Sequence, residues 1–97
     1  MPYISSEQRR LIDDLIEKLT NLVNSSPSLI SKKDGVVNYI ITNLLIQVYE
    51  RSYSSMCHAV GTAMCAIFEF YRRRMIPYEN EKIVENGDVY PDERRRI

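Results

Sequence analysis

The sequence predicts an all-α fold: a three-helix antiparallel arrangement, with a long C-terminal helix kinked at Pro77, assembled as an oligomer. Three observations lead there. Apolar residues recur at spacings of three and four in three separate stretches, and no alternating strand pattern occurs anywhere. In addition, residues 56–71 are apolar or small at almost every position, with His58, Thr62 and Glu69 the clear exceptions. A helix apolar on all sides is expected to be buried on all sides. At 97 residues the chain reads as a single helical domain, 1–97, with an arm at 1–4 and an irregular tail at 88–97.

The first helix is expected to start after Ser5 or Ser6, where Ser5 and Gln8 have the spacing of a capping box. Leu11, Ile12, Leu15, Ile16, Leu19, Leu22 and Val23 form one apolar stripe, and Asp13, Asp14, Glu17 and Lys18 take the opposite face. Residues 24–28 (Asn-Ser-Ser-Pro-Ser) end it, because Pro cannot continue the hydrogen-bond ladder. Residues 29–33 read as a single turn that packs Leu29 and Ile30 on the core, and Asp34-Gly35 as a turn into the second helix. That helix carries Val36, Val37, Ile40, Ile41, Leu44, Leu45, Val48 and Tyr49 on a wide apolar face. Its other side, with Asn38, Thr42, Asn43 and Gln47, is polar but uncharged, as at an interface or a pocket wall.

Residues 52–55 break the pattern and offer caps for the third helix, which is expected to reach about Ile76. Pro77 either kinks the axis or opens a fresh helix, and Gly87 is placed for a left-handed C-terminal cap. Three stripes surround this helix: Cys57, Gly61, Cys65 and Phe68; Met56, Val60, Met64, Ile67 and Tyr71; and Ala59, Ala63, Ala66 and Phe70. Two other helices of one chain cover two of them. The third would leave a large apolar patch in water, so a homo-oligomer is expected, most simply a two-fold dimer that packs these helices together.

Composition narrows the function. The formal net charge is zero, which speaks against generic DNA or RNA binding. The opening residues lack the apolar core of a signal peptide and no apolar run reaches the length of a membrane span, so a cytoplasmic location is expected. Cys57 and Cys65 lie about 12 Å apart along one helix, too far to bridge to each other, and read as buried, inert thiols. Two cysteines and one histidine fall short of a structural zinc site. No glycine-rich phosphate loop or nucleophile elbow is present, so no cofactor and no catalytic residue are expected.

What remains is a polar and aromatic cluster late in the chain. Basic residues concentrate in two triplets, Arg72, Arg73 and Arg74, and Arg94, Arg95 and Arg96. Three consecutive arginines point in directions about 100° apart on a helix, so at least one is expected to face the protein or a partner. A polar line of His58, Thr62, Cys65, Glu69 and Arg72 or Arg73 follows the helix, with Glu69 spaced to pair with an arginine. Guanidinium forks suit phosphate oxygens and tyrosine faces suit bases. The candidate ligand-binding residues are therefore Arg72, Arg73 and Lys82 for phosphate and Tyr71, Tyr78 and Tyr90 for stacking. Glu79, Asn86 and Asp88 complete the set as acceptors for ribose hydroxyls. Glu81, Glu85 and Asp88 leave open a magnesium-dependent hydrolase of the all-α pyrophosphatase kind.

The blocks GTAMCAIFEFYRRR, IPYENEKI and ENGDVYP, together with GVVNYIITNLL and the opening MPYIS, resemble a family of small proteins of unknown function from bacteriophages and bacteria. The family commonly has an acidic residue where this chain has Met64, and Asp where it has Asn80; both departures remove negative charge and weaken a metal-dependent reading. The resemblance implies a phage setting, in which small oligomeric proteins with polar pockets are often counter-defence factors, some of which bind and sequester nucleotide signals of host defence. The expectation is a homo-oligomer that binds a small nucleotide-like ligand without altering it. The alternatives are an oligomeric module docking on a host or phage protein through its charged tail, and the hydrolase.

Overall fold

A computed structural model describes residues 3–91; the expectations placed on Met1, Pro2 and residues 92–97, with Arg94, Arg95 and Arg96 among them, lie outside the described residues. The fold is all-helical. The order is α1 (Ser6–Ser25), α2 (Pro27–Ile30), α3 (Lys33–Val48), α4 (Tyr53–Phe70), a π-helical turn (Tyr71–Met75) and α5 (Ile76–Asn86), with no strand among the described residues. The chain divides into two compact units, Met1–Met56 and Cys57–Ile97, and the boundary falls in the first turn of α4.

In the first unit the helix ends follow local chemistry. The Gln8 N–H donates to Ser5 Oγ at 3.2 Å and the Ser5 N–H donates to Gln8 Oε1 at 3.0 Å, which completes the capping box. Ser26, extended at φ −91° and ψ 116°, ends α1 and caps α2, accepting the Leu29 N–H at 3.4 Å. Pro27 then sits at the start of α2, where its missing N–H has no ladder partner to lose. This one-turn helix begins two residues before the turn expected at 29–33; Leu29 is half-buried and Ile30 exposed. Asp34 and Gly35 are not a turn. They lie in the first turn of α3, where an acidic residue is favoured by the helix dipole, and the break falls at Lys32 instead.

α3 ends at Val48, its C-cap Tyr49 is extended, and α4 begins four residues after that cap. Ser52 Oγ accepts the Ser55 N–H at 3.2 Å, while Ser55 Oγ accepts the Glu50 N–H at 2.9 Å. Two serines thus satisfy two backbone donors across the join, as the run of serines implied.

In the second unit the helix passes through Pro77 without leaving helical backbone, since Phe70, Met75 and Ile76 are all right-handed. The irregularity comes just ahead of the proline. Across the π turn the Ile76 N–H reaches the carbonyl of Tyr71, five residues back, in place of the usual four. The proline ring would press on the Arg73 carbonyl in a regular α-turn, and the widened turn stands where that conflict arises. At the far end Gly87 has φ 79° and ψ 156°, with its N–H bonded to the Ile83 carbonyl at 2.8 Å. The positive φ was expected; the extended ψ was not. This is the nearly glycine-only corner of backbone space rather than the left-handed cap.

Burial departs most from expectation. Among the described residues Ala59, 7% exposed, is the one buried side chain, and Ala63 is half-buried. Cys57 and Cys65, expected to be buried, are exposed. On α4, Val60 is 58% and Ile67 63% exposed; on α1, Leu11 is 77% exposed. Each unit holds too few elements to surround even one of its helices. No helix among the described residues is long and apolar enough to cross a membrane.

Candidate functional site: a cleft at the end of α5

α5 from Tyr78 onward and the residues that follow it, Gly87 to Tyr90, enclose an open cleft of about 540 Å³. Tyr78, Glu79, Lys82 and Asn86 come from one face of the helix, since their spacings of one, three and four keep them within about a third of its circumference. Asp88 and Tyr90 come from the segment beyond Gly87, which only a glycine's φ and ψ allow to turn back along the helix. Asp88 Oδ1 accepts the Tyr90 N–H at 2.9 Å, a short-range bond that fixes the returning segment.

Six of the nine ligand-binding candidates therefore share one cleft. Lys82 stands at its centre in two weak interactions: Nζ lies 2.9 Å from Glu85 Oε2 and 5.5 Å from the centroid of the Tyr78 ring. An exposed ion pair of this kind contributes at most about 1 kcal/mol, and a cation over an exposed ring about as much. Neither would hold the ammonium against an incoming phosphate. Ile83, Gly87 and Val89 also line the cleft, and they went unread as site residues. Their apolar character fits a stacking floor, but no polar signal marks them in the sequence.

The other three candidates lie elsewhere. Tyr71, Arg72 and Arg73 are exposed in the π turn and do not line the cleft. Arg72 Nη2 is 3.1 Å from Glu69 Oε2 and 3.3 Å from Oε1, the expected pairing three residues apart. None of the triplet turns inward, because Arg74 is exposed as well. His58, Thr62 and Cys65, on the polar line along α4, are likewise exposed. Among the described residues no three His, Cys, Asp or Glu side chains converge as a metal site would require. Glu85 pairs with Lys82 at 2.9 Å, and Asp88 Oδ1 accepts the Tyr90 N–H at 2.9 Å.

A second, smaller cleft of about 310 Å³ lies in the first unit. Leu19 and Val23 of α1, Ile30 of α2 and Val37 and Ile40 of α3 make it largely apolar.

The fold and the larger cleft define a small all-helical protein with an open aromatic and polar recess at a helix end. Residues 1–89 match a known family, and the chain belongs to it: the family described as Domain of unknown function (DUF6899). No curated protein and no solved structure matches the sequence.

Proposed function

We propose that this protein is a helical homo-oligomer that binds a small nucleotide-like ligand in the α5 cleft and releases it chemically unchanged. The observation supporting the reading is the gathering of Tyr78, Glu79, Lys82, Asn86, Asp88 and Tyr90 around one recess of about 540 Å³. In this reading Lys82 exchanges Glu85 for a phosphate oxygen, Tyr78 or Tyr90 stacks on a base, and Glu79, Asn86 or Asp88 accepts bonds from hydroxyls. Ligand pockets commonly enclose about 70–90% of their ligand, and this cleft is open on one side. A neighbouring copy that closes it would also be the source of a guanidinium, since Arg72 and Arg73 of the same chain lie outside the cleft. If the protein is phage-borne, as the sequence resemblance implies, such binding would withdraw a nucleotide signal from host defence.

The test is a melting-temperature screen against cyclic dinucleotides and ADP-ribose derivatives. Ligand at a hundredfold excess over its Kd adds about 2.7 kcal/mol of stability, and the bound compound is recovered intact after heat denaturation. Products that differ from the input would overturn binding without chemistry. The second reading, docking on another protein, is supported by the exposed apolar stripe of α1. It predicts no shift with any nucleotide, together with co-purification of a protein partner.

A further inference from the structure

We infer that α3 is covered by a second copy of this chain, so that the core of the first unit forms between copies and folding is coupled to assembly. The inference rests on the oligomer in the reading above and extends it from α4 to the first unit. Residues 35–49 contain no Asp, Glu, Lys or Arg, yet Val37, Tyr39, Ile41, Leu44, Ile46 and Val48 are all exposed. Val37, Ile41, Leu44 and Val48 follow one side of α3, and Tyr39 and Ile46 lie on another. At on the order of 100 Å² apiece the first four expose roughly 400 Å² on one side of α3, within the range of a soluble monomer's largest and often functional patch. Leu11, Leu15, Ile16 and Leu22 of α1, in the same unit, are exposed too and hold roughly 400 Å² more. A standard interface takes about 800 Å² from each partner, the sum of these two stripes.

Charge argues that the occupant is a second copy. Reversible partners meet across patches with polar, charged rims, whereas obligate self-interfaces resemble a core cut in half. α3 has no charged rim after Asp34, and the charge-free residues 52–68 give the same chain a second surface of the same chemistry. In a two-fold assembly each copy supplies both. The polar groups on α3 are prepared for cover: Asn43 Nδ2 donates to the Tyr39 carbonyl at 3.0 Å, and Thr42 Oγ1 donates to Asn38 Oδ1 at 3.4 Å. Internally bonded amides and hydroxyls lose less on leaving water than unbonded ones.

The experiment uses the full chain in a Cys57→Ser, Cys65→Ser background carrying Leu44→Cys, with thiol alkylation, sedimentation and circular dichroism followed across a dilution series. The expected result is a mass of at least two chains, a melting temperature that rises with concentration, and alkylation at least tenfold slower when assembled than when dilute. Two-chain particles whose Leu44→Cys thiol reacts at the free-thiol rate would overturn the inference. If Cys57 and Cys65 are protected in the parent protein, the oligomer through α4 still stands. A helical species of 11.4 kDa with a concentration-independent melting temperature would overturn both. Helicity that appears only on adding a different protein would overturn the choice of a second copy.

Discussion

α1 and α4 are nearly equal in length, 20 and 18 residues, and both expose most of their apolar side chains, but their sequences ask for different surroundings. α1 confines its charges to one face and its leucines and isoleucines to the other, so a single neighbour along one side completes it. α4 has no charged residue before Glu69 and apolar or small side chains on every side, so one neighbour leaves most of it in water. Equal exposure is therefore a modest debt for one helix and an untenable state for the other. The difference teaches why, in the proposed assembly, α4 more than α1 sets the demand for additional copies.

The largest effect should come from a charge in the middle of α4. Ile67→Glu places a carboxylate where the proposed assembly excludes water; an unpaired buried charge is worth about 3–5 kcal/mol, enough to reduce the sedimenting mass to one chain. Asp14→Asn, on the charged face of α1, should leave mass unchanged and stability within about 0.5 kcal/mol. Equal effects from both would erase the comparison.

Gly87→Ala should be next. Nothing lies within 4 Å of the added methyl, so the loss, about 1–3 kcal/mol, comes from backbone strain alone. The returning segment should loosen and the thermal shift with nucleotide should vanish, while mass stays as in the parent. A retained ligand shift would show that residues 88–90 are not needed for binding.

The helix starts sharpen the comparison further. Ser52→Ala removes the acceptor for the Ser55 N–H at the head of α4 and should destabilise by about 1 kcal/mol, or roughly 4–8 °C in Tm. Ser5→Ala should lower Tm less, because residues 3–10 are all exposed and this first turn of α1 can fray locally without unfolding the rest. The smallest change is expected for Glu85→Gln, which breaks the exposed pair with Lys82 and should shift stability by only a few tenths of a kcal/mol.

Much of the helical pattern was legible in the sequence. Ser5 with Gln8, Ser26 with Pro27 and the serines before α4 act on backbone groups three to five residues away, and those distances are set by the chain itself. Asp34-Gly35 misled because an Asp-Gly pair suits a turn as well as a first helical turn, and only the position of Lys32 separates the two. The π turn was missed since a proline signals that the ladder must change without saying how. At the site, Lys82 and Tyr78 were findable as neighbours at helical spacing, whereas Ile83 and Val89 carry no polar mark.

By itself the sequence determined that this chain is helical, where most helices begin and end, and which helix has no polar side, because caps, propensity and periodicity act over a few residues. Only the tertiary structure decided that Tyr90 and Asp88 come back to the face bearing Tyr78 and Lys82, that Arg72 and Arg73 stay apart from them, and that Cys57 and Cys65 remain in solvent. Those outcomes depend on a single backbone reversal at Gly87 and on how many helices each unit has available to cover another, and neither quantity is written in local spacing.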